Sequence, residues 1–185
     1  MPRSSESGFV PHWFTMAMLF ACALGIVLAI AIPSCLRWRI STREKAALAD
    51  MRTLQRAMAG YRDANGGLYD SQLACMTDGG RSCIPNRPLP PAAVLAGSLA
   101  AAGPRHGYRF SLLPGPPPER LPPNSSPTSV VSFCYVATPE GPADERTAYP
   151  RSFAVDDTGR TCFAWGAEPI PCVEGRLPRD CQTLE

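Results

Sequence analysis

Residues 13–33 read WFTMAMLFACALGIVLAIAIP, twenty-one positions without a charge. At about 1.5 Å per residue such a helix matches the ~30 Å hydrocarbon core of a bilayer. A buried core helix is the competing explanation, but the rest of the chain carries most of its 21 prolines and 15 glycines. That composition suits loops better than a jacket around a long apolar helix. Trp13 and Trp38 stand near the two ends, where amphipathic rings favour the membrane interface. The segment reads as transmembrane, with residues 1–12 as a leader-like stretch before it.

A second helical pattern follows, spanning residues 34–67. Its heart, STREKAALADMRTLQRAMAGYRDA at 41–64, has no proline and many strong helix formers. Ala47, Met51, Leu54, Met58 and Tyr61 recur at steps of four and three, one face of an amphipathic helix. Asn65-Gly66-Gly67 ends it, because these residues tolerate the left-handed conformation of a helix stop. Membrane helices accept proline, so Pro33 allows one continuous helix from Trp13 to Ala64, ~78 Å long at the standard rise. The Met/Leu/Tyr stripe is expected to form the core of the chain's own domain, with other sectors free for helix–helix packing.

At 185 residues the chain fits one modest domain plus this appendage. A net charge of +2, with one lysine against seventeen arginines scattered along the chain, gives no basic patch for nucleic acid. Two histidines are too few for a histidine-built metal centre. Orientation draws on two opposed signals. Arg37, Arg39, Arg43 and Lys45 after the apolar run would place the following domain in the cytoplasm by the positive-inside rule. Against that, Cys75, Cys83, Cys134, Cys162, Cys172 and Cys181 are even in number and lack zinc-type spacing, which reads as disulfides in an oxidising compartment. The cysteines carry more weight, since a short basic flank can be overridden by dedicated export. Ile32-Pro33-Ser34-Cys35 also looks like a lipoprotein signal ending, although the apolar run is longer than such signals carry.

The stretch GIVLAIAIPSCLRWRISTREKAALADMRTLQRAMAGYRDANGGLYD, residues 25–70, resembles bacterial type IV pilins and the pseudopilins of type II secretion. It is similar to their apolar run ending in Ala-Ile-Pro, and to their amphipathic helix closing on Tyr-x-x-x-Asn-Gly-x-Tyr, here Tyr61, Asn65, Gly66 and Tyr69. The resemblance implies a leader cut between a glycine and a methylated phenylalanine, for which Gly8 and Phe9 supply the dipeptide. It also implies a glutamate at the fifth mature position. Counting from Phe9 puts Trp13 there, and counting back from Gly25 and Pro33 puts Met16 there, so neither register supplies one. In the family that carboxylate neutralises a neighbour's terminal amine inside the membrane, a strong pairing at low dielectric. Without it the chain reads as a minor pseudopilin, an assembly-initiating subunit or a pilin-shaped anchor.

The head, residues 68–185, is expected to carry a loop closed by Cys75–Cys83, a short helix over 92–103, and strands at 107–113 and 129–137. Strands at 152–156 and 161–165 would form a hairpin across Asp157-Thr158-Gly159-Arg160. Residues 114–127 hold seven prolines and read as irregular loop. The fold class is α+β: one long N-terminal helix, half membrane and half amphipathic, packed on three or four antiparallel strands of a disulfide-rich head. Cys134–Cys162 and Cys172–Cys181 are the remaining pairings expected, though six cysteines allow fifteen arrangements.

Catalytic signatures are missing from the sequence. It has no G-x-S-x-G, H-E-x-x-H or G-x-G-x-x-G, and His106 has no nucleophile motif beside it. Some pseudopilins hold calcium in a head loop, and Asp156 and Asp157 offer carboxylates; an ordinary hairpin turn uses the same residues. Asn124-Ser125-Ser126 matches a glycosylation acceptor that matters only in a eukaryotic secretory route. The expectation is a non-enzymatic, pilin-like or pseudopilin-like subunit of the bacterial inner membrane with its head in the periplasm or on a filament surface. Its partners would be the membrane and other pilin-like subunits, with no cofactor, metal, nucleic acid or small-molecule ligand. The alternative is a membrane-tethered or lipidated periplasmic binding module that does not polymerise.

Overall fold

The computed structural model describes residues 12–77, 83–101, 103–140 and 150–184. Gly8 and Phe9, and the turn at Asp78-Gly79-Gly80, lie outside the described residues. The chain divides into two compact units, Met1–Arg39 and Ile40–Glu185. Helix α1 runs His12–Ala64 through both, without a break at Pro33. The amphipathic half thus belongs to the head as one of its structural elements.

Within the head, Ala47, Met51, Leu54, Met58 and Tyr61 are all buried, so the alternating stripe is the helix face of the core. The turn after α1 closes as the composition requires. Gly66 and Gly67 take φ of +67° and +89°, and Gly67 N–H donates to the Arg62 carbonyl at 2.9 Å, tying off the last turn.

The opposite wall is a six-stranded antiparallel sheet in the order β2-β3-β5-β6-β7-β8. Its strands are β2 (Pro104–Arg105), β3 (Tyr108–Pro114), β5 (Phe133–Pro139), β6 (Arg151–Asp156), β7 (Thr161–Trp165) and β8 (Gln182–Thr183). A separate two-stranded ribbon pairs β1 (Tyr69–Asp70) with β4 (Ser129–Val130). The sheet is larger than the three or four strands expected, because β2 and β8 are two-residue edges too short to leave a periodic signal. The expected strand at 129–137 is divided: Ser129-Val130 pairs with Tyr69-Asp70, and Val131-Ser132 breaks the run before β5. The expected helix over 92–103 contracts to a 3-10 turn, Pro91–Ala93, and one α-turn, α2 (Gly97–Ala100). Gly97 and the neighbouring prolines leave too little propagation to extend it.

Strand alternation gives the sheet two apolar faces. Tyr108, Phe133, Tyr135, Phe153 and Val155 join the helix stripe in the main core. Cys134, Val136, Ala154 and Cys162 point the other way and are covered by Ile170 and Leu177 of the C-terminal tail. Cys75 pairs with Cys83, Cys134 with Cys172, and Cys162 with Cys181. The expected Cys134–Cys162 and Cys172–Cys181 bonds are therefore corrected. Cys134 lies on β5 and Cys162 on β7 with β6 between them. Two strand spacings amount to ~10 Å, beyond the reach of a disulfide. Each strand cysteine instead meets a cysteine of the tail crossing over it.

Candidate functional site

In the first unit, the described large apolar side chains from Trp13 to Ile32 are exposed, including Phe14, Met18, Leu19, Phe20, Ile26, Val27 and Ile30. Water would not tolerate so long an uncovered apolar helix, and this helix is long and apolar enough to cross a membrane. Trp13 and Trp38 are exposed at the ends of the run. Cys22 and Cys35 are free thiols on the same helix.

In the head, the amphipathic half of α1 is fixed at both ends by polar groups that side-chain periodicity does not reveal. At its start, Glu44 is only 7% exposed. Its carboxylate accepts from Arg151 Nη2 at 2.6 Å, from Nε at 3.3 Å and from the Arg151 backbone N–H at 3.1 Å. The guanidinium lies over the rings of Phe153, Phe163 and Trp165, at 5.5, 5.3 and 5.6 Å from their centroids. Hydrogen bonding to Glu44 pushes the Arg151 pKa above its ordinary value. Tyr108 Oη donates to the Arg151 carbonyl at 3.0 Å, which completes a clamp between helix, β3 and β6.

At the other end, Tyr61 Oη donates to Asp70 Oδ2 at 2.8 Å, inside the core. Asp70 Oδ1 also accepts from Thr128 Oγ1 at 2.8 Å and from Gln72 N–H at 2.9 Å. Burial, with the Asp70 carboxylate second, drives the Tyr61 hydroxyl well above its ordinary pKa, so it remains a donor. Asn65 is fully buried; its amide donates to the Leu68 carbonyl and Ser129 Oγ, and its oxygen accepts from Ser126 N–H at 2.7 Å. Tyr69 packs edge-on against Phe133 at 4.8 Å. Tyr61 and Asn65 thus fasten the helix end to the β1–β4 ribbon, Gly66 makes the turn after them and Tyr69 lies in the ribbon itself.

The carboxylates at the β6–β7 hairpin have different fates. Asp156 is buried, and its Oδ1 accepts from Thr158 N–H, Thr158 Oγ1 and Arg160 N–H. Its Oδ2 accepts from Leu177 N–H at 3.4 Å, so this carboxylate organises the turn and the tail. Asp157 Oδ1 is buried without a hydrogen-bond partner among the described residues. Burial first, and the neighbouring Asp156 charge second, push the Asp157 pKa up. Asp156 is thus engaged by the turn and the tail through both of its oxygens. Among the described residues one further trio has donor atoms within reach of a metal, Asp70, Cys75 and Cys83. Its sulfurs are joined to each other and its carboxylate is held by Tyr61, Thr128 and Gln72. His106 Nε2 approaches Asp50 at 3.5 Å, where Arg105 also meets the same carboxylate.

The tail adds one surface feature. Phe163, Trp165, Ile170, Pro171 and Asp180 line an open groove of about 420 Å³, with Trp165 65% exposed. Sequence reasoning missed it, along with Asp70 and the Glu44–Arg151 pair, whose members lie 107 residues apart. Comparisons of this chain with protein-family models, with curated proteins and with solved structures found no match.

Proposed function

We propose that the chain is a pilin-like or pseudopilin-like structural subunit of a type IV pilus or type II secretion filament. It is anchored in the bacterial inner membrane by residues 13–33, holds its head in the periplasm or on the filament surface, and is not an enzyme. One observation carries this reading. A single helix, His12–Ala64, leaves its apolar half uncovered while its other half forms the core wall of a head with three disulfides. Such a helix needs lipid before assembly and apolar neighbours after it. The oxidised cysteines favour an extracytoplasmic head. With no glutamate at the fifth mature position, the subunit fits a minor or initiating place better than the bulk of a filament.

The natural thiols Cys22 and Cys35 provide the test. A membrane-permeant crosslinker with a maleimide at one end and a photoreactive group at the other, applied to native membranes, should join the chain through these thiols to neighbouring apolar helices and give adducts heavier than the monomer. Cys22→Ser with Cys35→Ser should abolish the adducts. Monomer alone in the native membranes would count against assembly. It would favour the tethered binding module, for which the groove beside Trp165 is the natural ligand surface.

A further inference from the structure

The disulfides of the outer sheet face interleave along the chain. In sequence order the four cysteines are Cys134, Cys162, Cys172 and Cys181, and the first pairs with the third and the second with the fourth. Four cysteines allow three connectivities. The native one closes loops of 38 and 19 residues. Pairing neighbours closes loops of 28 and 9, and the nested arrangement closes loops of 10 and 47.

With closure falling as the three-halves power of loop length, neighbour pairing is favoured about fivefold over the native arrangement in the unfolded chain. The nested arrangement is favoured about twofold by the same rule. The native connectivity is the least favoured of the three before folding. Cys75–Cys83, by contrast, is both native and a short-loop pair, eight residues apart.

The sheet makes the wrong pairs a trap. Cys134 and Cys162 must sit on β5 and β7 with β6 hydrogen-bonded to both, Cys134 opposite Asp156 and Cys162 opposite Ala154. A bond between the two cysteines pulls β5 and β7 to within disulfide reach and leaves no place for β6. A Cys172–Cys181 bond likewise closes the tail on itself, when Ile170 and Leu177 must spread over Val136 and Ala154.

We infer that oxidation alone does not mature this head, and that the chain is a substrate for thiol–disulfide exchange by an isomerase-type dithiol catalyst. The step is redox-neutral. A catalyst thiolate attacks Cys134 in the Cys134–Cys162 bond; that S–S bond breaks, Cys162 leaves as a thiolate and a mixed disulfide joins catalyst to Cys134. Cys162 attacks Cys181 in the Cys172–Cys181 bond, forming Cys162–Cys181 and releasing the Cys172 thiolate. Cys172 then attacks Cys134 in the mixed disulfide, forming Cys134–Cys172 and returning the catalyst thiolate. Two disulfides enter, two leave, and no electrons are exchanged with the surroundings. This holds whether or not the chain polymerises.

The test uses the full chain with Cys22→Ser and Cys35→Ser, so that no internal free thiol can catalyse exchange. Reduced protein is diluted from denaturant into detergent micelles with ferricyanide, a thiol-free oxidant, quenched in acid and mapped by non-reducing peptide mass spectrometry. The expected early products carry Cys134–Cys162 with Cys172–Cys181 about fivefold over the native pairs. Adding protein disulfide isomerase with a glutathione redox pair should then convert them to Cys134–Cys172 and Cys162–Cys181. The map is readable whether or not the head folds. Native pairs dominating from the first time point under ferricyanide would overturn the inference. So would non-native pairs that the catalyst fails to convert.

Discussion

Glu44→Ala is expected to destabilise the head by about 3 kcal/mol, within the range seen when one partner of a buried ion pair is removed. Glu44 is 7% exposed, and its carboxylate holds both the side chain and the backbone N–H of Arg151. Its loss strands a guanidinium among three rings and removes the acceptor for the first amide of β6. Glu44→Gln keeps an acceptor for that N–H and should recover part of the loss. Urea unfolding of the full chain in micelles, carrying Trp13→Phe and Trp38→Phe so that Trp165 beside the clamp is the single fluorescent reporter, reads both effects. Equal stability of Glu44→Ala and the unaltered protein would remove the clamp from the account.

Gly175→Ala should cost a similar amount, about 3 kcal/mol or more, for a different reason. Gly175 has φ +72° in the tight turn that brings Val173 and Arg176 together, a conformation side chains rarely adopt. An added Cβ would lie 2.8 Å from the Gly115 nitrogen, 2.9 Å from its Cα and 3.0 Å from Phe133 Cα. All three are backbone atoms, so no side-chain rotation relieves the clash, and left-handed strain adds to overpacking. The tail crosses the proline-rich loop by backbone contact at this point, and Ser132 Oγ donates to the Glu174 carbonyl beside it at 2.7 Å. Gly166→Ala, with positive φ but open space around it, should cost less and separates the two contributions. Thermal melts of the two variants in the same micelles provide the comparison.

Local pattern revealed the helix, its buried stripe, the Asn-Gly-Gly stop and the β6–β7 hairpin, because each is written within a few residues. Met51, Leu54, Met58 and Tyr61 repeat at helical spacing, and the core adopted that spacing. The long-range joins are not written that way. Glu44 and Arg151 are 107 positions apart and neither stands out in its own window. The Glu174-Gly175 turn escaped notice because glutamate, at φ +52°, occupies a place more often held by asparagine, aspartate or glycine. The outer-face disulfides were misread because neighbouring cysteines invite pairing, whereas the sheet order inserts β6 between Cys134 and Cys162. The four-residue motif at the helix end carried a family resemblance in sequence; in the fold its Tyr61 and Asn65 make the hydrogen bonds that join the helix end to Asp70, Ser126 and Ser129.

Intact mass with N-terminal sequencing of the protein recovered from its native membrane tests the proposed function most directly. A pilin-like subunit predicts a mature chain beginning at Phe9 and heavier by one methyl group, with all six head cysteines oxidised. A chain beginning at Met1, or a lipid-modified start at Cys35 that discards the apolar half of α1, would contradict it.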